Sequence, residues 1–540
     1  MGSDAQARPT LRADVVPLVV ASTGGVLLAV GSPPGGVPLA IWLGFGPLVW
    51  AAHALRERRG RRRFFGGWLG GLGIGLVGFP WIAELLERFS GLPMPVSWIG
   101  LTAFSAWTAL AFGVWMSAQR LVPDRGAWRW AWPAVSWIGV STLWPALFPY
   151  TPMIGIADVP EWMQAAELGG VALVEAQVVL SGVAFAIAAR DRALRRRLAF
   201  VGIAIAIPAV SWLLGSWRIA TLDAAAKGAR VVRFGIVQPN PALLASNPSD
   251  KMARLWVMSR KAQDDGAQVI VWPEAGAFPY RTTRPHVRDA VEPHRRVMRI
   301  HRTPTIFGAA SIEPDDRYEY NTVYAMAEDG TITGTFDKVV LVPVGEYVPL
   351  IDPDIVTSRI PAVSHNHAGT APARFEVVPR SIDGSTVAPI HLGPLVCYED
   401  IFIDFAREVA AQDGGIDVFV NVTIDTWFGD TAEPWEHLAL AQFRSVEHRI
   451  PMVRSVAAGP ASIVDHAGRL VATRPVRDPR PEAPVDPEYL VADVSIVRDT
   501  ASSPTIFARG GWMLRWLCAS SFVVIVGVRV ARRRRRKVTA

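Results

Sequence analysis

Three segments of this 540-residue sequence place at a strand end a group able to do acid–base or nucleophilic chemistry. In VIVWPEAG (269–276) an apolar run stops at Pro273 and presents Glu274. In FDKVVLVPVGEYVPL (336–350) Lys338 precedes Glu346 by eight residues, in a stretch punctuated by two prolines and a glycine. In GPLVCYEDIF (393–402) a strand-like run delivers Cys397 to the point where a strand gives way to a loop or helix. A carboxylate can take a thiol proton, a thiolate can attack an acyl carbon, and an ammonium favours the thiolate and steadies an oxyanion. Each residue alone has a plainer reading. A lone cysteine is more often a small buried hydrophobe, and a lone glutamate or lysine a solvated surface charge. Their joint occurrence at three strand ends is what points to chemistry.

The elements that must position these groups lie between residues 220 and 505. Strands are expected at 231–238, 267–274, 303–311, 321–327, 390–397, 417–424, 451–458 and 489–496, and helices at 249–264, 284–301, 401–412 and 434–449. In the last helix Trp435, Leu438, Ala439, Phe443, Val446 and Ile450 keep a three-to-four spacing along one face. This is an α/β domain large enough for its own core. The proline-rich, charged segment 473–488 reads as a surface loop.

Outside that domain the composition changes. Half of all residues are hydrophobic and mean hydropathy is positive, which soluble proteins of this size rarely show. Seven apolar stretches precede the domain, at 15–31, 36–55, 64–83, 95–119, 129–147, 168–189 and 198–217, and an eighth follows at 511–531. Each is near the length a helix needs to cross a bilayer. Basic residues cluster in alternate loops: Arg8 and Arg12, then 56–63, then Arg120, Arg125 and Arg129, then 190–197, and finally 531–538. Loops 32–35, 84–94 and 148–167 hold Arg88 alone. Positive charge marks the cytoplasmic side, so both termini are expected inside and residues 218–510 outside the cytoplasm. The first apolar stretch lacks a signal-peptide cleavage site and reads as retained. The net charge of +7 follows largely from these anchors and does not argue for nucleic acid. The expected organisation is a membrane domain over 1–219, an extracytoplasmic catalytic domain over 220–505, and a last helix with a basic tail over 506–540. Cys518 falls within the last apolar stretch, which leaves Cys397 without a partner for an internal disulfide.

The motifs WPE, DK with VPVGEYVP, CYED and DTWFGD (425–430), in that order, resemble the nitrilase or carbon–nitrogen hydrolase superfamily. With seven apolar stretches before the domain and one after, and with FPYTPMIGIADVPEWMQAAELGG (148–170), the chain resembles the apolipoprotein N-acyltransferase family. The resemblance implies an αββα sandwich and a Glu-Lys-Cys triad of Glu274, Lys338 and Cys397. Glu346, Tyr398 and Glu399 would support that triad, Glu399 equally reading as a structural acid, and Trp427 would contact substrate. It implies no cofactor and no metal. Its partners would be a membrane phospholipid as acyl donor, a diacylglyceryl apolipoprotein as acceptor and the bilayer itself, with a monomer acting in the bacterial cytoplasmic membrane. Ile424, before the D-x-W-F-G motif, and SVAAGPAS (455–462), with Ala457 and Ala458, depart from the family pattern of asparagines.

Two other readings compete. A membrane-tethered amidase or nitrilase would use the same triad with water as second nucleophile, but a tether needs one helix. A transporter or receptor would carry ionisable groups inside its helices, where Glu175 is the main example. His365 and His367, two histidines in a loop without further ligands, read as surface residues, and Trp81, Trp98 and Trp162 as interfacial anchors. The alternation of basic loops is directly testable: a reporter active only in the cytoplasm, fused near residue 230, should give no signal, and a strong signal there would overturn the topology.

Overall fold

The computed structural model describes residues 11–242, 247–314, 316, 318–343, 345–347, 355, 365–480, 482–497 and 504–538. Arg8 and the end of VPVGEYVPL lie outside them. The chain forms two compact units, one of Met1–Glu84, Pro93–Trp217 and Arg509–Ala540, the other of Leu85–Leu92 and Arg218–Ala508.

The first unit is helical. Its helices are α1 (Leu11–Val30), α2 (Pro38–Ala54), α3 (Gly60–Gly78), α4 (Trp81–Ser90), α5 (Met94–Ala118), α6 (Gly126–Leu143), the short α7 (Pro160–Met163), α8 (Ala166–Arg190) and α9 (Leu194–Ala226). All seven leading apolar stretches are therefore helical, as is the eighth. Among the described residues, Met94–Ala118, Ala166–Arg190, Leu194–Ala226 and Gly511–Arg535 are long and apolar enough to cross a membrane. A fifth span results if α3 and α4, bent by 59°, are taken together, and the apolar parts of α1 and α2 are shorter. The bend falls at Pro80, which has no N–H to continue the helix. Packing here depends on small residues. A Cβ on Gly67 of α3 would lie 2.1 Å from the Phe112 carbonyl oxygen of α5, and one on Gly71 2.6 Å from Ala109 Cα. Such close backbone approach is the usual source of helix association where lipid removes the hydrophobic drive.

The second unit is a two-sheet sandwich. The strands that matter for the site are β1 (Arg230–Gln238), β2 (Val269–Val271), β4 (Thr305–Ile312), β5 (Glu319–Met326), β6 (Ile332–Asp337), β7 (Asn366–His367), β9 (Ile390–Val396), β10 (Val418–Ile424) and β11 (Met452–Ala457). Numbered in chain order, with β3 (Thr282–Thr283), β8 (Phe375–Val377), β12 (Ser462–Val464), β13 (Leu470–Thr473) and β14 (Glu488–Ile496) among them, the strands form one sheet of order β14-β1-β2-β4-β5-β6, with β3 on β4 and β7 on β5, and another of order β13-β12-β11-β10-β9-β8. Period-two alternation divides their side chains. Val232, Phe234 and Ile236 of β1 and Val269 and Val271 of β2 meet Leu392, Val418, Val420 and Val422 of the facing sheet in one buried core. Val237, Ile270 and Trp272 point the other way, onto Met252 and Leu255 of α10 (Pro248–Asp264). Helices α11 (Ile403–Ala410) and α12 (Glu433–His448) add Phe405, Val409, Leu438 and Ala441 to the main core from the opposite side. The layers are thus helix, sheet, sheet, helix.

One expected element is absent. Residues 284–301 form turns and bends instead of a helix. The Asp289 carboxylate takes the backbone N–H groups of Ala290, Val297 and Met298, and the Asp289 and Ile332 backbones pair this segment with the turn at Gly330. A side chain that satisfies backbone donors locally competes with the helix. The expected strand 267–274 contracts to three residues, because Pro273 cannot donate to a ladder.

Gly308 of β4 connects this packing to the site. A Cβ there would lie 2.6 Å from the Glu274 carbonyl carbon and 2.7 Å from Glu274 Cα. Gly308→Ala should displace the 274–275 backbone and cost about 1–3 kcal/mol. Thermal melting of the purified protein checks this, and an unchanged melting temperature would mean that the neighbouring backbone yields freely.

Candidate active site

Four chain segments converge where strands of both sheets end. Cys397 follows β9 directly and has φ of 52°, in the left-handed region, so the chain turns sharply into the 3-10 turn Cys397–Ile401. The neighbouring parallel strand steadies that corner, as Asn421 Nδ2 of β10 donates to the Cys397 carbonyl at 2.8 Å. Glu399, fully buried, closes the turn by accepting Val396 N–H at 2.8 Å on one oxygen. Its other oxygen accepts Val339 and Val340 N–H at 2.7 and 2.9 Å. One carboxylate therefore fastens the residues after Lys338 to the turn that carries Cys397. Tyr398 donates its hydroxyl to the Leu341 carbonyl, and its ring centre lies 5.5 Å from Lys338 Nζ.

Lys338 follows β6 with 1 % of its surface exposed. Its Nζ lies 3.3 Å from Glu274 Oε1 and 2.9 Å from Glu346 Oε2. Asn321 of β5 bridges the two acids, donating to Glu274 Oε1 at 2.7 Å and to Glu346 Oε1 at 3.1 Å. The second Glu274 oxygen accepts Ile424 N–H at 3.1 Å, and that of Glu346 accepts Val342 N–H at 2.8 Å. Asn366, between the two histidines of SHNH, also reaches Glu346 at 3.4 Å.

These contacts set the charges. Burial pushes the Glu274 carboxyl up, Lys338 draws it down and Glu346 pushes it up again, leaving it above the ordinary carboxylate range. Burial pulls the Lys338 ammonium down, but Glu346 and Glu274 outweigh it and hold the group well above the usual lysine value. Burial raises the Cys397 thiol and Glu274 raises it further, against the opposing pull of Lys338 and the Thr423 hydroxyl. A raised thiol and a raised carboxyl thus share the site with a stabilised ammonium. Such an arrangement suits proton transfer at the moment of attack.

The sequence-predicted residues Glu274, Lys338, Glu346, Cys397, Tyr398 and Glu399 thus come together. Trp427, in the loop after β10, packs edge-on against Phe89 with ring centres 5.3 Å apart. Trp81 and Trp162 are buried in the helical unit, Trp162 against Trp42, while Trp98 is exposed. His367 faces Asp316 at 2.9 Å and, with His365, rings from Tyr318. Ile424 acts through its backbone, so its departure from asparagine leaves the Glu274 contact intact. In the other departing segment Ser455 donates to the Val271 carbonyl, at the end of the strand before Glu274.

Asn321, Asn366, Asn421 and Thr423 escaped the sequence reading. The available signal was an amide or hydroxyl inside an otherwise apolar strand, since a buried polar side chain must have a partner. Among the described residues, Asp425, Glu433 and His437 have ligand atoms close enough to hold a metal ion. The Arg454 guanidinium, 2.8 Å from His437 Nδ1, already supplies a cation there and occupies that nitrogen.

The family model described as carbon–nitrogen hydrolase matches residues 233–479, the stretch that holds the two-sheet sandwich and the grouping of Glu274, Lys338 and Cys397. A second model, the apolipoprotein N-acyltransferase N-terminal domain, matches residues 24–184. The chain is 30 % identical to the apolipoprotein N-acyltransferase of Rhizobium rhizogenes, over 84 % of this chain and 87 % of that one. It is 27 % identical to that of Geobacter metallireducens, over 95 % of each. Yeast Nit3, a solved member of the nitrilase superfamily, is similar over 50 % of this chain and 93 % of its own, with 15 % identity and a TM-score of 0.38. The chain belongs to the apolipoprotein N-acyltransferase family and is an acyltransferase by that membership.

Burial raises the Glu399 carboxyl from 4.5 to about 8, against three backbone N–H donors and Lys338 that pull it down. The folded protein then holds this proton more tightly than the unfolded chain. That contribution to stability is full below about 4.5 and is lost as pH rises through about 8. The melting temperature should fall across this window, and less so in Glu399→Gln, which cannot ionise. Parallel curves for parent and variant would show that Glu399 is ionised throughout.

Proposed function

We propose that this chain N-acylates lipoproteins in two half-reactions through a thioester on Cys397. In the first, Glu274 takes the thiol proton and the sulfur bonds to the ester carbonyl of a phospholipid acyl chain. The ester C–O bond breaks, and the leaving lysophospholipid oxygen recovers the proton from Glu274. In the second, the free α-amino group of a diacylglyceryl-cysteine attacks the thioester. An amide C–N bond forms, the S–C bond breaks, and the amine proton passes through Glu274 back to sulfur.

The observation that carries this reading is the convergence of Glu274, Lys338 and Cys397, from strands of both sheets, in a member of this family. Lys338 has three N–H donors; two carboxylates engage it, and a remaining donor suits an oxyanion on the acyl carbon. Glu346 and Asn321 hold the ammonium in place. Glu399 holds the Lys338 segment to the nucleophile's turn, with Tyr398 lining it, and Trp427 offers an apolar surface to the acyl chain. The proposal places the catalytic domain, residues 220–505, outside the cytoplasm on a bilayer crossed eight times by the chain. Drawing an acyl chain into water costs about 0.8 kcal/mol per methylene, so a site at the membrane avoids a large penalty for both substrates.

Incubation of the purified protein with phospholipid vesicles should place a hydroxylamine-labile acyl mass on the Cys397 peptide. A diacylglyceryl lipopeptide with a free amine should remove it. Cys397→Ala should form no adduct, Cys518→Ala should behave as the parent, and Lys338→Met should lower the rate about 10²- to 10³-fold. Release of free fatty acid without transfer would favour the hydrolase with water as acceptor, and near-normal turnover in Lys338→Met would exclude the oxyanion role.

A further inference from the structure

Behind the nucleophile's turn lies a second buried group that neither half-reaction uses. Asp400 sits three residues after Cys397 in the same 3-10 turn, Asp425 begins the loop after β10, His437 is on α12 and Arg454 is on β11. All four are buried. His437 Nε2 lies 2.8 Å from Asp400 Oδ1. Arg454 Nη2 lies 2.8 Å from His437 Nδ1; against burial and Arg454, the Asp400 and Asp425 carboxylates push the imidazole up to about 10, so Nε2 carries a proton that points at Asp400. The same guanidinium lies 3.5 Å from Asp400 Oδ2 through Nε and 3.5 Å from Asp425 Oδ2 through Nη1. Glu433, one helical turn before His437, lies 4.0 Å from Nδ1.

This group connects the two halves of the chemistry. At one end Asp400 belongs to the turn of Cys397. At the other, Asp425 follows Ile424, whose N–H holds Glu274, and lies two residues from Trp427. The Asp425 carboxylate is buried between the two cations, with Oδ2 3.5 Å from Arg454 Nη1 and Oδ1 3.8 Å from His437 Nδ1. Buried ion groups are seldom the most stable filling for a core, and a gain in fixed geometry is one reason to keep them. We propose that His437 and Arg454 are positioning residues for the acylation of Cys397, forming a bracket that fixes the nucleophile's turn relative to the strand end that holds Glu274. The inference rests on Cys397 being the nucleophile, and not on which donor or acceptor it serves.

The charges that face the thiol are Glu274 from the end of β2, Lys338 from the end of β6, Asp425 from the loop after β10 and the phenol of Tyr398 from its own turn. Asp425 is thus both a bracket member and a negative charge felt at sulfur. The test uses full-length protein in phospholipid vesicles with His437→Ala, His437→Gln and Asp425→Asn. Misplacement of reacting groups by an ångström costs about 10²-fold. His437→Ala should therefore lower kcat by that order with little change in KM for phospholipid. His437→Gln, which can still donate to Asp400 and accept from Arg454, should recover most of it. Asp425→Asn, which keeps its shape, should shift the pH profile of Cys397 alkylation by iodoacetamide to lower pH, because one negative charge has gone. A folded His437→Ala with kcat within about threefold of the parent would overturn the proposal. Should that variant fail to fold, a folded Arg454→Lys, whose single ammonium cannot reach His437, Asp400 and Asp425 together, would overturn it alone if its kcat lay within about threefold of the parent's. Alkylation needs no acyl donor, so a parent that alkylates normally yet takes no acyl group from phospholipid would refute the donor assignment and leave this test standing.

Discussion

The site depends on one lysine ammonium held dry between two carboxylates. Moving a cation from water into a protein interior costs several kcal/mol even after relaxation, so Lys338 needs opposite charge at contact distance. A single glutamate would satisfy it, but a carboxylate that exclusively neutralises a lysine is a poor base. The second acid changes this. Glu346 lies at 2.9 Å and Glu274 at 3.3 Å, so Glu346 provides the nearer neutralising charge and its repulsion raises the affinity of Glu274 for a proton. Asn321 donates to both and prevents the acids from separating. Structural support and chemical readiness thus have the same origin.

Around that trio, the polar groups are accounted for mainly by the backbone. Ile424, Val342, Val339, Val340 and Val396 all give their N–H groups to Glu274, Glu346 or Glu399. These donors come from strand ends and the residues just past them, where ladder partners run out. The apolar character of the donor residues does not matter to this role, so Ile424 fills it through its backbone alone.

The sequence made Glu274 and Cys397 visible because each ends an apolar run, and that run leads from the strand that carries it. It made the membrane part visible through length and hydropathy, and every apolar stretch is helical. Other features depend on pairing across the chain. The strand β6 that delivers Lys338, with its weak ITGTFD pattern, acquires its identity from β5. Asn321 and Asn421 look like interruptions in strands until their partners, 47 and 24 residues away, are in place. The expected helix over 284–301 had an acceptable apolar spacing, yet Asp289 captures the N–H groups that a helix would have used. Helix ends set by Pro80, or spans shortened below bilayer length, likewise depend on neighbours that periodicity does not report.

The two ties that close the site carry a further meaning. Lys338 meets Glu274 across 64 residues of sequence, and Glu399 meets Val339 across 60; each pair bridges strands that a folding chain must bring together late, after its local turns and helices. The nucleophile's corner lies on one sheet and the base and ammonium on the other. A chain with only one sheet formed therefore holds the Cys397 thiol apart from Glu274 and Lys338. The complete site is in this sense a property of the finished sandwich, since neither sheet by itself holds all three groups.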